Sequence, residues 1–318
     1  MNIDIFNGDA DGICALIQLR RAFPVNAQLV TGVKRDIDLL RKVAAKAGDK
    51  LTVLDISLDK NRHALLDLLN TPVDIFYADH HFSGEIPHHP RLTSLINTDA
   101  SLCTSLLINQ YLDGQFPGWA VTGAFGDNLT DSAHLAAKPL QLSHAQLEQL
   151  QQLGICINYN AYGATLDDLH IAPAVLYRQL VAYASPFDFI AEQNDVYQAL
   201  RAAYADDMHK ANTMKAEFQS EQIAVYLLPD EQWARRVNGV WGNELANQHP
   251  NRAHAVISYN QRNGYQVSVR APINHKTGAD TLCNRFPEGG GRKAAAGINH
   301  LDKQQLSVFI DAFRVQFE

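Results

Sequence analysis

Cysteine is scarce in this chain, at 4 of 318 residues. Cys14, Cys103, Cys156 and Cys283 form no Cys-x-x-Cys pair and no disulfide framework. Each reads as a small buried hydrophobe in a reducing compartment. Long apolar runs are absent as well: no stretch approaches the ~20 residues needed to cross a bilayer, so no membrane partner is expected. The first residues lack a basic segment followed by an apolar one, so no secretory signal is expected and a cytoplasmic location is. Low-complexity segments and internal repeats are missing too. What is present is the composition of a folded protein, 46% hydrophobic and 19% charged. At roughly 150 residues per domain, the length suits two domains.

The net charge of −7 is unevenly spread. From Trp233 to the end there are 11 Lys/Arg against 6 Asp/Glu, leaving 16 against 28 elsewhere. An acidic body with a basic carboxy-terminal part is unlike a protein that coats nucleic acid with its whole surface. It suits one domain that gathers carboxylates and another that meets an anion. Ordinary compositional drift between domains explains the same asymmetry equally well.

Across the first 130 or so residues, short β-branched and apolar runs alternate with helical patterns. Strands are expected at residues 3–6, 28–31, 51–54 and 73–77, with helices through Cys14 to Leu19, over 37–47 and over 61–69. Such alternation implies βαβ units and a mainly parallel sheet, and ligands of such sheets bind beyond the carboxyl ends of the strands. From Ser132 to about Gln219 the pattern turns helical. Ser143 caps one helix there, and a long connector helix is expected over 194–218. Strands return at 223–227 and 253–259, the latter forming a hairpin with 265–270 across Gln261-Arg262-Asn263-Gly264. The expected division is 1–135, 136–220 and 221–318, with the main boundary near 220.

Carboxylates sit where these runs stop. Asp9 and Asp11 follow the first strand in Gly8-Asp9-Ala10-Asp11-Gly12; Asp55 ends the third; Asp79-His80-His81 ends the fourth; Asp127 ends an apolar segment. A parallel sheet would bring them to one edge, where several carboxylates and an imidazole repel one another unless a divalent cation is bound. Carboxylate oxygens with imidazole suit Mn²⁺ or Mg²⁺. Taken singly, each has an ordinary explanation: Asp-Ala-Asp-Gly as a turn or cap, Asp55 as a helix cap. A Ca²⁺ loop is excluded because the later oxygen ligands and terminal Glu are missing. Adjacent histidines after a buried strand rarely follow from packing alone, and the combination is far more specific than its parts. His88 and His89 read as a surface loop.

Asp9-Ala10-Asp11-Gly12, Asp55, Asp79-His80-His81 and Asp127, in that order, resemble the four motifs of the DHH phosphoesterases. Gly289-Gly290-Gly291-Arg292-Lys293-Ala294-Ala295-Ala296-Gly297 resembles the signature of the domain that accompanies them. The resemblance spans nearly the whole chain. It is closest to the branch holding RecJ-type exonucleases, nanoRNases and cyclic-dinucleotide phosphodiesterases. Inorganic pyrophosphatases lack the glycine-rich motif and fit less well.

The resemblance implies a parallel-sheet amino-terminal domain, a helical connector and a smaller mixed α/β carboxy-terminal domain. It implies that Asp9, Asp11, Asp55, His80 and Asp127 hold one or two Mn²⁺ ions, Mg²⁺ being an alternative, with Asp55 bridging. Asp79 would orient a histidine, and His81 would face the scissile phosphate. Two ions can lower the pKa of a bridging water and neutralise phosphoryl charge, so that no protein nucleophile is required. Gly289, Gly290, Gly291 and Arg292 would form a phosphate clamp, strengthened if a helix begins at Arg292. Asn7 would also contact substrate, and Tyr259, Tyr265 and Phe286 are stacking candidates that serve equally well as core. Ile5 stands where many relatives carry a histidine, Asn7 where RecJ-type proteins often have Asp, and Arg292 where the partner motif has histidine. These departures shorten the ligand set of one metal site.

The implied activity is metal-dependent hydrolysis of a phosphoester in short single-stranded nucleic acid or a small nucleotide. The alternative is a non-catalytic nucleotide- or anion-binding protein with a degenerate metal site. Pairing into a homodimer is left open. The reading requires Asp9, Asp55, His80 and Asp127 to face one another, with no Lys or Arg head group filling the space between them.

Overall fold

The computed structural model describes residues 1–192 and 195–318, and the chain divides into two compact units. The first comprises residues 1–161 and 165–201, the second residues 162–164 and 202–318.

The first unit opens with strand β1 (Asn2–Phe6), helix α1 (Ala10–Ala22) and strand β2 (Ala27–Val30). Strand β3 (Lys50–Leu54), helix α2 (Leu58–Leu69), strand β4 (Asp74–Asp79) and strand β5 (Leu92–Ile96) complete a sheet. Its order is β2-β1-β3-β4-β5, and every pairing is parallel. Apolar residues line both faces: Phe6, Leu54 and Ala78 pack toward α1, while Ile3, Ile5, Val53 and Tyr77 pack toward α2. Burial on both faces explains the near-continuous apolar strands.

Helices follow: α3 (Thr104–Tyr111), α4 (Pro117–Gly126), α5 (Thr130–Ala137), α6 (His144–Asn160), α7 (Pro173–Leu180), α8 (Pro186–Ala191) and α9 (Asp195–Asn212). Ser143 starts α6 with a capping box to Gln146, as its sequence suggests. The expected start of the long helix at Asn194 lies outside the described residues; the helix is described from Asp195 and ends at Asn212, short of Phe218. Helix α4 is buried all round from Trp119 to Gly126. It meets α6 closely enough that a Cβ on Gly126 would stand 2.7 Å from the Gly154 carbonyl oxygen.

The helix expected over 37–47 does not form; only a 3₁₀ turn at Leu39–Lys42 is present. Asn61 of α2 explains why. Its amide donates to the Ile37 carbonyl at 2.6 Å and accepts from the Leu40 amide at 3.2 Å. These are groups a helix would pair internally. Strand β5 was not anticipated: its middle residues are exposed, so it lacks the apolar run that marks its neighbours.

The second unit carries strands β6 (Phe218–Gln219) and β7 (Ile223–Leu227), helix α10 (Gln232–Gln248), and strands β8 (Ala253–Tyr259) and β9 (Tyr265–Arg270). Helix α11 (Ala279–Cys283), strands β10 (Gly289–Gly291) and β11 (Ala295–Leu301) and helix α12 (Leu306–Phe317) end the chain. The sheet order is β10-β11-β9-β8-β7-β6, with β7 and β8 parallel and the other pairs antiparallel. The hairpin of β8 and β9 forms as expected, Asn263 taking the left-handed conformation at its tip (φ 58°). Tyr265 and Phe286 belong to the core of this unit, with Tyr259 packed against it, so the stacking candidates serve packing. All four cysteines are buried and free. No helix among the described residues is long and apolar enough to cross a membrane.

Candidate metal centre

Because the sheet of the first unit is parallel, all five strands end at one edge, and the residues just past those ends build the site. Asp9 and Asp11 follow β1, Asp55 follows β3, and Asp79, the last residue of β4, leads into His80 and His81. Strands β1, β3 and β4 are consecutive in the sheet, so these groups become neighbours. Asp127 ends an apolar segment as expected, and that segment is a helix: Asp127 caps the carboxyl end of the buried helix α4.

His80 stands at the middle. Its Nε2 lies 3.5 Å from Asp55 Oδ1, 3.8 Å from Asp127 Oδ2 and 3.9 Å from Asp11 Oδ2. Its Nδ1 is 3.0 Å from the Leu102 carbonyl oxygen, to which it donates as Nδ1–H, so Nε2 is the nitrogen turned toward the carboxylates. Ligand atoms of Asp11, His80 and Asp127 all lie within 4.8 Å of one another, as do those of Asp55, His80 and His81. His81 Nδ1 is 2.7 Å from Asp79 Oδ1, and the other Asp79 oxygen is buried without a hydrogen-bond partner. Among the described residues, these groups include neither His88 nor His89.

Several placements come from groups that carry no sequence motif. Helix α3 has no side-chain cap of its own; Asp11 supplies one from a distance, accepting from the Thr104 and Ser105 amides at 2.7 Å each. The Thr104 hydroxyl donates to Asp55 Oδ1 at 3.2 Å. Asp55 itself sits in the left-handed region (φ 60°), an uncommon conformation that turns the chain sharply at the end of β3. Asp9 caps α1 by accepting from the Gly12 amide at 3.1 Å.

Lys34 was not singled out from the sequence, yet it enters the cluster. It lies just past the end of β2, a strand from which no site residue was drawn. Its Nζ donates to Asp9 Oδ2, donates to Asn158 Oδ1 at 3.0 Å, and stands 3.5 Å from Asp127 Oδ1. Its backbone is pinned at both polar groups: the amide donates to the Ala161 carbonyl at 2.9 Å, and the carbonyl accepts from Asn7 Nδ2 at 3.3 Å. Asn7 is buried, and its Oδ1 accepts from the Asp9 amide at 3.3 Å. Asp11, Asp55, His80 and Asp127 therefore converge, but Asp9 is not among them, and the requirement that no lysine stand in the cluster is not met: the Lys34 head group takes up part of the space between Asp9 and Asp127.

The electrostatics follow from this crowding. Burial lifts the Asp55 carboxyl well above the usual carboxylate range, and the charges of Asp11, Asp9, Asp127 and Asp79 lift it further. Burial likewise pushes Asp127 up to about 6, Lys34 opposing and Asp11 and Asp9 reinforcing. Burial acts to raise Asp9 too, but the Lys34 charge and hydrogen bond, with the Gly12 amide, outweigh it and hold Asp9 low. His81 is lifted above the ordinary histidine value: burial pulls it down, and the Asp79 hydrogen bond and charge prevail. A site that raises its own carboxyl groups for want of positive charge fits a hard divalent cation, and its oxygen and imidazole donors fit the same ion. The residues that would hold it are Asp11, Asp55, His80 and Asp127.

The second unit treats the glycine-rich segment differently from expectation. No helix begins at Arg292; β10 and β11 form a tight hairpin, with Arg292 N donating to Ala295 O at 2.8 Å. Gly289 and Gly291 are needed for packing. A Cβ on Gly289 would meet the Cys283 carbonyl oxygen at 1.8 Å, and Gly291 has φ 141° with Ala296 Cα 2.5 Å from its Cβ position. Gly290 meets only the end of the Asn284 side chain, at 3.9 Å, and Arg292 is exposed at the hairpin tip.

No protein-family model matches the chain, and no curated protein matches it in sequence. Solved structures do match in fold. An exonuclease RecJ bound to manganese is 15% identical, with a TM-score of 0.64 over 99% of this chain and 89% of that one. RecJ of Thermus thermophilus in complex with Mn²⁺ is 16% identical, with a TM-score of 0.58 over 99% of this chain and 51% of that one. The pGpG-specific phosphodiesterase PggH of Vibrio cholerae is 14% identical, with a TM-score of 0.54 over 99% and 98%. These neighbours share the DHH fold, and this chain has it too.

Proposed function

We propose that this chain, which has the DHH fold, is a metal-dependent phosphoesterase acting on short single-stranded nucleic acid or a small nucleotide. The observation that carries the reading is the convergence of Asp11, Asp55, His80, His81 and Asp127 at one sheet edge, with ligand atoms within 4.8 Å in two overlapping groups. The names of the neighbours, an exonuclease and a pGpG-specific phosphodiesterase, support phosphoester chemistry on nucleotide material. Mn²⁺, or Mg²⁺ in its place, would be held by Asp11, Asp55, His80 and Asp127, supplying Lewis acidity toward a phosphoryl oxygen and an attacking water.

The chain's own residues do the rest. His80 is fixed in one tautomer by Leu102, so its Nε2 is permanently presented. Asp79 orients His81 and raises its affinity for a proton, so His81 can meet a phosphate oxygen as a cationic donor or return that proton to a leaving oxygen. Arg292, exposed and able to grip an anion in bidentate fashion, and Gly290 beside it are assigned to substrate. On this reading residues 1–135 are catalytic, 136–220 connect, and 221–318 bind substrate.

The test is incubation with Mn²⁺ and a panel of short RNA, short DNA, linear and cyclic dinucleotides, and phosphorylated nucleosides. Metal-dependent product release is expected on at least one class, abolished in Asp55→Asn and His80→Ala. The Lys34 ammonium within the cluster favours a second reading, a nucleotide- or anion-binding protein without catalysis. Tight binding of a panel member with no turnover at any metal concentration selects it.

A further inference from the structure

A lysine ammonium is itself a cation, and the position of Lys34 is constructed, not incidental. Its main chain is held at both polar groups, by Ala161 and by Asn7. Its head group meets three side-chain oxygens from three separate elements: Asp9 at the start of α1, Asp127 at the end of α4, and Asn158 in α6. Asp9 is buried and has given one oxygen to the Gly12 amide and the other to Lys34. It is absent from both groups of converging ligand atoms, whereas Asp11, Asp55, His80, His81 and Asp127 are in them; unlike Asp11, whose oxygens accept from two neutral amides, Asp9 is engaged by a positive charge. The carboxylate cluster is thus divided. One side, Asp9 with the Oδ1 of Asp127, is satisfied by the protein's own positive charge. The other, Asp11, Asp55, His80 and the Oδ2 of Asp127, is not.

We propose that the Lys34 ammonium is a built-in cation of this centre, occupying the space between Asp9 and Asp127 so that the cluster takes one divalent ion where its carboxylates could otherwise hold two. The inference rests on the metal-binding reading above and adds the count and the residue that sets it. A divalent ion placed on Asp9 would displace the ammonium from its partners and then face it across a few ångströms of buried space, where like charges are poorly screened. Lys34 is therefore a positioning and selectivity residue: it charges the cluster without being exchangeable, and confines the exchangeable ion to the His80 side.

Metal counting tests this without reference to activity. Wild-type protein and Lys34→Met are equilibrated with Mn²⁺, freed of excess ion and measured for bound manganese per chain, alongside electron paramagnetic resonance of the bound ion. Wild type is expected to hold one Mn²⁺ with an isolated six-line spectrum, and Lys34→Met two with an exchange-coupled spectrum. Two ions in the wild type overturn the proposal while leaving the metal-dependent reading intact, and one ion in Lys34→Met does the same. No ion in the wild type overturns both. Lys34→Gln, which keeps a hydrogen-bonding head group without the charge, replaces Lys34→Met if the latter does not fold, and the same counts decide.

Discussion

Asp79 reaches the proposed chemistry only through a neighbour. One of its oxygens is 2.7 Å from His81 Nδ1, and the other is buried and unpaired. Replacing it with Asn leaves the shape nearly unchanged but removes the charge that holds His81 in its orientation and protonated state. Supporting groups of this kind are worth on the order of 10- to 100-fold. Asp79→Asn is expected to lose activity by about that factor while binding the same amount of Mn²⁺; a parallel loss of metal would show that Asp79 builds the site instead of tuning His81. At this scale the sequence was informative about side chains that close a strand, and Asp9, Asp11, Asp55, Asp79, His80 and His81 were all found that way. Lys34 escaped because a single lysine has no motif, although it stands just beyond β2 and the same strand-end rule would have reached it. The Leu102 carbonyl and the Thr104 and Ser105 amides could not be found at all, since backbone groups are identical at every position.

At the scale of elements, α3 illustrates capping from outside the local sequence. Its first turn lacks a side-chain cap, and Asp11, more than 90 residues earlier, accepts from two of its free amides. A carboxylate on two amides at a helix start combines charge-assisted hydrogen bonding with a favourable dipole. Asp11→Asn can accept only one of them and turns an NH₂ toward the other, a loss of about 2 kcal/mol of capping that relief of its repulsion with Asp55 and Asp127 offsets only in part, read as a lower urea midpoint in metal-free protein. A midpoint unchanged from wild type would mean that water serves α3 as well as Asp11 does. Elements were foreseeable where burial made them uniformly apolar, as in β1, β3 and β4. They were missed where another element supplied the partner: Asn61 holds 37–47 out of a helix, and the exposed edge strand β5 owes its place to β4. That Gly289 and Gly291 are packed in a hairpin was not legible, because close approach of backbone to backbone and of backbone to anion both demand the same residue.

For the whole molecule, two units with separate cores put the candidate metal ligands in one and the glycine-rich hairpin in the other. A ligand stabilises only the part that binds it, by about 2.7 kcal/mol at a hundredfold excess over Kd. Calorimetry with increasing Mn²⁺ is therefore expected to raise the melting of the first unit and leave that of the second in place. Equal upward shifts of all heat absorption would show that the units melt together. The charge asymmetry along the chain suits the proposed division between a carboxylate-gathering unit and an anion-binding one, and drift explains it equally well.

The gathering of five strand ends on one edge has a counterpart at the opposite edge. There the chain only turns back, as at Gly48, a left-handed residue with no atom within 4 Å of its Cβ position. Lengthening, nicking or rejoining the backbone at that turn would spare the chemistry. A single added residue after Leu54 or Asp79 would instead displace a charge from a neighbourhood whose ligand atoms lie within 4.8 Å of one another. Variation among descendants of this chain thus has a permitted rim and a forbidden one.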